Sequence, residues 1–363
     1  QHISESFCGN DLKTERPMVR RLIIDSILYW MQEYHIDGFR FDLGNLLDWE
    51  TVEELIKKAK EINPYVIFIS EPWGSGYDPQ GFSQRNWASW NDQIRNGIKG
   101  ENPFTGKGWI FGKWFGGNSI KSVKGYLKGS LDRYKNGLFK KPEHSVNYLE
   151  SHDGYTLGDF IRLALGKVDE EEQIENPDET VKLTDKELRL HKLAALFLFV
   201  SQGMVMIHAG QEFAGTKVIS PNTVVNDPDK GKLDPDSYNK DNDTNYINYN
   251  HADINSELKD YYAGLISLRK EYDAFRRAEP ENIRVAELLE NEFAFAHKIN
   301  YGDEKFCVLF NAHQKNFAYF ELPSGEWEVL ADSQSAGTKP LAVISKIFKM
   351  KPVSGMVLRK VSY

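Results

Sequence analysis

Three segments of the chain end in side chains that can attack carbon or move a proton. The first is Asp37-Gly-Phe-Arg-Phe-Asp-Leu43. In an extended strand alternate residues share a face, so Gly38, Arg40 and Asp42 point one way and Phe39 and Phe41 the other. A guanidinium beside a carboxylate keeps it ionised, which suits a nucleophile or a charge stabiliser, and equally suits a structural Arg40–Asp42 salt bridge. The second is Val66-Ile-Phe-Ile-Ser-Glu71-Pro-Trp-Gly74, an apolar run that delivers Glu71 at its end. The apolar plane of Trp73 could raise the Glu71 pKa, so that the carboxyl acts as a general acid, and could also stack on a sugar ring. The bland alternative is a Glu that caps the next element. The third is Val146-Asn-Tyr-Leu-Glu-Ser-His152-Asp153-Gly154, again apolar and then titratable. Alone, His152 reads as a structural histidine; its interest comes from the two carboxylates in the other segments.

Positioning such groups requires a scaffold that brings strand ends together. Pro17 to Tyr34 reads as a helix, with Pro in its first turn and Val19, Leu22, Ile23, Ile27, Trp30 and Met31 at helical spacing. Ile36 to Leu43 follows as a short strand, Thr51 to Ile62 as an amphipathic helix stopped by Asn63-Pro64, and Tyr65 to Ser70 as a buried parallel strand. Ser145 to Leu149 and Met204 to His208 are further strand candidates, with helices over Lys186 to Val200 and Glu257 to Phe275. Repeated helix-to-strand steps favour a parallel α/β architecture, whose ligands bind at the C-terminal ends of the strands. From about Glu281 the pattern changes to the alternation of half-buried strands, at Glu292 to His297, Phe306 to Phe310, Phe317 to Leu322, Glu326 to Leu330 and Gly355 to Val361. The expected division is therefore an α/β part over 1–280 and a small antiparallel β domain over 281–363. The polar stretch Ser220 to Asn245 reads as a long surface loop, of the kind that is functional or mobile.

The 363 residues allow two or three domains with a buried core, and 40% hydrophobic with 27% charged residues exclude a disordered or collagen-like chain. A net charge of -8 argues against nucleic acid or an anionic membrane as the main partner and favours a neutral polar ligand. The longest apolar run, Leu193 to Val200, is far short of a membrane span. Cys8 and Cys307 match no metal or redox spacing and read as free buried thiols.

Carboxylates at the ends of several parallel strands are what a (β/α) barrel uses to build an active site. A pair of carboxylates in unequal environments is what glycosidic cleavage needs: one acid for the leaving oxygen and one nucleophile, about 5 to 5.5 Å apart in retaining enzymes. Here the chain resembles a known family. Residues 37–43, 71–74 and 147–153 are similar, in order, to the second, third and fourth regions shared by the α-amylase family of glycoside hydrolases. Gly9-Asn-Asp-Leu, Pro17 to Ser26, Trp90-Asn-Asp-Gln-Ile-Arg95, Val146-Asn-Tyr and Ile207-His-Ala-Gly-Gln-Glu-Phe213 resemble its pullulanase, isoamylase and glycogen-debranching branch. The resemblance implies a nucleophile at Asp42, an acid/base at Glu71, a transition-state stabiliser at Asp153, and substrate contacts from Arg40, His152, Trp73 and Asn147. It implies α-1,6 cleavage in pullulan, glycogen or amylopectin with retention of configuration and no required cofactor. The other readings are the same machinery on α-1,4 bonds, as an amylase or transglycosylase, and a non-catalytic α-glucan-binding protein.

Two positions depart from that branch. Gly154 and Tyr155 follow Asp153 where Asn is common, near residues that help set linkage preference. The first region of the family, an Asp-x-x-x-Asn-His strand, has no match before Asp37; Asn250-His251 follows the last strand and reads as a surface loop. Residues 1–10 carry neither a basic start nor an apolar stretch, and Gln1 opens the chain without Met inside a loop. The expected fold is thus α/β, a partial (β/α)8 TIM barrel of about strands 4 to 8, followed by a C-terminal antiparallel β-sandwich, with a companion N-terminal chain or fragment completing the barrel. The remaining aromatic cluster, Trp87, Trp90, Trp109 and Trp114, suits sugar subsites and core packing alike. The acidic run Asp169 to Glu172 reads as a solvated loop, and Asp241-Asn-Asp243 offers oxygens to Ca²⁺ without a full ligand spacing. No other metal site is expected.

Overall fold

The computed structural model describes residues 4–6, 8–220 and 226–361. The chain is α/β with a β-sheet domain at its C-terminal end. It groups into two compact units, Gln1–Asn91 with Gly129–Val146, and Asp92–Lys128 with Asn147–Tyr363.

In the first unit, helix α1 (Pro17–Tyr34) starts on Pro at its first turn and stops where His35 turns left-handed at φ 56°. Strand β1 (Gly38–Phe41) follows, then helix α2 (Trp49–Ile62), whose first turn is capped by Asp48 accepting from the Thr51 N–H at 3.0 Å. Strands β2 (Ile67–Ser70), β3 (Ala88–Trp90) and β4 (Ser145–Asn147) complete a parallel run in the order β1, β2, β3, β4. β1, β2 and β4 are each shorter than the runs that announce them. β3 was not legible: Ala88-Ser-Trp90 is too short to carry a period. Ile24, Met31, Val52, Leu55, Ala59 and Phe68 form the core between helices and sheet, with Trp87 fully buried among them.

In the second unit, helices α3 (Leu157–Leu165), α4 (Asp185–Val200) and α5 (Ser256–Glu271) surround a large apolar core. Strand β5 is only Met204–Val205. α4 opens on a complete capping box, Thr184 with Glu187, and is apolar on nearly every side from Leu190 to Val200, as a helix enclosed by packing must be. The chain breaks after Glu271 and resumes as a short helix at Ala274–Arg277, where a single helix to Phe275 was expected.

The β-sheet domain comprises β6 (Ile283–Leu288), β7 (Asn291–Tyr301), β8 (Glu304–Asn311), β9 (Ala318–Glu321), β10 (Trp327–Ala331), β11 (Ala342–Ile344), β12 (Ile347–Met350) and β13 (Ser354–Lys360). Six strands form an antiparallel sheet in the order β11-β10-β13-β8-β7-β6, and β9 pairs with β12. Alternation sorts the faces: Phe295, Ile299, Val308, Phe310 and Val357 pack in the core with α4, while Ala296, Cys307, Leu309, Val329 and Leu358 pack with Phe320 and Met350 of the small sheet. Contact with α4 is close enough that a Cβ on Gly355 would stand 2.2 Å from Leu196 Cδ2.

Three readings of the sequence are corrected. Cys8 is exposed rather than buried, while Cys307 is buried as expected. His251 is not on a surface loop: it lies in a short helix, Asn250–Ile254, buried against Asp178 with Nε2 3.0 Å from Oδ1. The stretch Ser220 to Asn245 is not wholly loop, since Leu233 bridges Val218 and both are buried with Ile174; its residues 221–225 lie outside the described residues.

Candidate active site

Arg40, on β1, and Glu71, just past β2, come from neighbouring parallel strands in register Arg40↔Ile69 and Phe41↔Ser70. Asp42 follows β1 directly. The Arg40 guanidinium joins the two carboxylates: Nη1 lies 2.5 Å from Asp42 Oδ1 and Nη2 lies 3.2 Å from Glu71 Oε2. Its own position is fixed from below by Trp90, with Cζ 4.6 Å from the ring centroid. Trp90 therefore braces the arginine and is not a sugar platform; Trp87 and Trp109 are fully buried core residues.

The turn after Asp42 closes over Glu71. The Leu43 N–H donates to Glu71 Oε2 at 2.8 Å and the Gly44 N–H to the Glu71 carbonyl at 2.8 Å, with Leu43 held left-handed at φ 41°. Gly44 is required here by space, since a Cβ would meet Ser70 Oγ at 2.3 Å.

Glu71 is buried and Asp42 is open, its side chain 70% exposed. Burial pushes the Glu71 pKa up, the Leu43 N–H and the Arg40 charge pull it back, and a hydrogen bond and repulsion from Asp42 raise it again. The net direction is upward. Both donors sit on Oε2, which leaves Oε1 as the oxygen to carry the proton. Trp73 is partly exposed and packs on Tyr77 with ring centroids 4.6 Å apart. It keeps an aromatic plane open beside the acid; the upward shift comes from burial first and from Asp42, whereas the sequence pointed to the indole.

In the second unit, His152 and Asp153 lie on the turn after β4 and are both about half exposed, with His152 Nε2 3.4 Å from Asp153 Oδ2. Their backbone is anchored by Lys217, whose buried Nζ donates to the His152 carbonyl at 2.5 Å and the Gly154 carbonyl at 3.1 Å. Lys217 is itself tied down, its N–H donating to Asp159 Oδ2 at 2.9 Å beside the buried Asp159–Arg162 ion pair. Burial lowers the Lys217 pKa against the pull of Glu150, Asp159, Asp153 and Asp234.

Asn147 is fully buried and its Nδ2 donates to the Gln202 carbonyl at 2.8 Å, so it secures the end of β4.

Sequence reasoning missed Glu150 and Lys217. Glu150 is buried and pairs with His208, Nδ1 to Oε1 2.9 Å, while its Oε2 accepts from the Leu157 N–H at the start of α3. Both line a cavity of about 220 Å³ with His152, His208, Tyr238 and Tyr246. The signal for Glu150 was its place in the same titratable strand end as His152. For Lys217 there was none, since the two carbonyls its ammonium binds lie more than sixty residues away. Among the described residues no cluster of three or more His, Cys, Asp and Glu side chains is arranged to hold a metal ion, and no helix is long and apolar enough to cross a membrane.

No protein-family model matches the chain. Individual proteins do. The chain is 31% identical over 289 residues to a pullulanase of Bacillus subtilis, covering 76% of this chain and 36% of that protein. It is 30% identical over 271 residues to chloroplastic isoamylase 1 of Arabidopsis thaliana, covering 61% and 32%. Its structure superimposes on the crystal structure of a pullulanase from Anoxybacillus sp. LM18-11 complexed with maltotetraose at a TM-score of 0.78 and 27% identity, covering 99% of this chain and 49% of that one. The chain thus spans between a third and a half of the length of these relatives. Similarity of this extent to pullulanases and isoamylases, reached through sequence and structure alike, places the chain in the pullulanase and isoamylase branch of the α-amylase family.

Proposed function

We propose that this chain carries the chemistry of a retaining glycoside hydrolase that cleaves α-1,6 branch linkages in α-glucans. The observation that carries the reading is the unequal carboxylate pair on neighbouring strand ends, Asp42 open and beside Arg40, Glu71 buried with its pKa raised. In the proposed cycle protonated Glu71 gives its proton to the glycosidic oxygen while Asp42 attacks the anomeric carbon. Asp153 and His152 hold hydroxyls of the distorted ring, Arg40 holds the Asp42 carboxylate in place through Nη1, and Trp73 packs on a sugar face. Ionised Glu71 then takes a proton from water, which releases the sugar from Asp42 with overall retention. No step calls on a cofactor, so turnover unchanged by a chelator is expected. Loss of turnover on chelation, restored by Ca²⁺, would direct attention to Asp241 and Asp243.

The finer fold reading belongs to the same proposal: 1–280 as about strands 4 to 8 of a (β/α)8 barrel, and 281–363 as a β-sandwich. Support for a companion that supplies the other strands comes from β1, which among the described residues lies at a sheet edge, and from α1, which exposes Met18, Leu22, Tyr29, Trp30 and Tyr34. A cooperatively folded, fully active monomer of these 363 residues would remove the companion from the proposal.

Product analysis, on the chain together with any polypeptide that copurifies with it, tests the activity. Maltotriose released from pullulan, with linear amylose left intact, is the expected result. Shortening of amylose with pullulan untouched would assign the same residues to α-1,4 bonds, and sugar binding without any product would leave an α-glucan-binding protein.

A further inference from the structure

Outside the carboxylate site, the strongest unassigned feature is a groove on the open part of one face of the six-stranded sheet. The pleat puts Arg284 on β6, Lys298 and Asn300 on β7, Lys305 just inside β8 and Lys360 on β13 on the face that elsewhere carries Ala296, Cys307 and Leu358. The small sheet of β9 and β12 covers that apolar half and leaves the cationic half open. There the four cations line a cavity of about 460 Å³ together with Trp327 and Pro323.

The register makes this arrangement unfavourable in isolation. Arg284 stands directly opposite Lys298 across the β6–β7 ladder, and like charges in that position destabilise a sheet. No acidic side chain lines the cavity. None of the four cations has an ion pair or side-chain hydrogen bond among the described residues, although the chain as a whole carries a net charge of -8. With acid in excess, four unneutralised cations on one concave face form a site whose missing charge belongs to a ligand. An Arg fork with three ammonium groups suits a tetrahedral oxyanion, taken bidentately by the guanidinium and as point charges by the lysines. The indole N–H of Trp327 is already used, donating to the Pro323 carbonyl at 2.9 Å, so the ring acts as a wall and does not specify the ligand by hydrogen bonding. The volume exceeds that of one oxyanion and leaves room for a carrier.

We propose that this groove binds a phosphate monoester. The proposal is independent of the hydrolytic activity and concerns the β-sheet domain alone.

Calorimetric titration of the whole chain with glucose 6-phosphate, inorganic phosphate and glucose tests it. Glucose 6-phosphate is expected to bind, to bind more tightly than inorganic phosphate, and to weaken at least about tenfold between 50 and 500 mM NaCl; glucose is expected not to bind here. Replacing Arg284→Gln and Lys298→Gln together should weaken glucose 6-phosphate at least about tenfold while the melting temperature is kept or raised, because the opposed charges are gone. Equal binding of inorganic phosphate and glucose 6-phosphate would overturn the ester and leave free phosphate as the ligand. Binding of glucose 6-phosphate that neither salt nor the double variant changes would overturn the site itself, and the salt series decides even if the variant fails to fold.

Discussion

Arg40 Nη2 lies 3.2 Å from Glu71 Oε2, and through this one guanidinium the buried carboxyl and the open Asp42 carboxylate respond to each other's charge. Burial favours the neutral form of Glu71; the guanidinium opposes it; Asp42, bound to the other Arg40 nitrogen, restores it.

Replacing Asp42 with Asn keeps shape and most polar contacts but removes the nucleophile. Turnover is expected to fall by at least about 10³-fold with glucan binding largely preserved. Binding is measured by titration with maltotetraose and turnover by reducing-sugar release. Undiminished turnover would take Asp42 out of the nucleophile's role.

The raised Glu71 pKa has two consequences of definite sign. In catalysis the acid form is lost as pH rises through the folded pKa, so the alkaline limb of kcat/KM should fall at a pH above that of an ordinary glutamate, near 4.3. In stability, a carboxyl whose folded pKa exceeds its unfolded value favours the fold fully below the unfolded pKa and loses that contribution as pH rises to the folded value. Glu71→Gln keeps the neutral form, so its stability relative to the parent should increase with pH across that window. Denaturant unfolding at a series of pH values checks this, and Arg40→Gln should move the window upward.

Gly44→Ala tests the turn that covers the acid. The added Cβ would meet Ser70 Oγ at 2.3 Å and the Glu71 carbonyl at 3.2 Å, both beneath the Leu43 and Gly44 N–H donors. Overpacking of this kind costs about 1–3 kcal/mol, and release of the Leu43 N–H from Glu71 Oε2 should raise the Glu71 pKa further. Thermal unfolding measures the first effect and the alkaline limb of the pH profile the second.

What the sequence made legible was what repeats or clusters locally. The helical spacing of α1, the alternation of β7 and β8, and the strand ends bearing Asp42, Glu71 and Asp153 are all written within ten or twenty consecutive residues. The hydrogen bond from the Asn147 amide to the Gln202 carbonyl was not legible, because its partner lies 55 residues further along the chain and only the fold brings the two together. Trp90 was undecidable for the same reason, since the guanidinium above it comes from Arg40, fifty residues earlier in the chain. The raised acidity of Glu71 was anticipated in direction but assigned to Trp73, because an adjacent indole is visible in sequence and desolvation by packing is not.

Lys217 carries the last prediction. Its ammonium takes the carbonyls on both sides of Asp153, those of His152 and Gly154, at 2.5 and 3.1 Å, from a buried position held by Asp159. It touches no reacting atom in the proposed cycle, so it acts by placing the Asp153 carboxylate. Lys217→Met leaves the two carbonyls without their donor, at about 1–3 kcal/mol, and lets the turn drift. A displacement near 1 Å at a group that binds the transition state lowers kcat by about 10²-fold while KM changes little. Lys217→Arg, which can reach the same carbonyls, should recover part of kcat. A purely structural role would instead lower the melting temperature in both variants and leave kcat per folded molecule unchanged, so kcat, KM and thermal unfolding measured on the parent, Lys217→Met and Lys217→Arg separate the two.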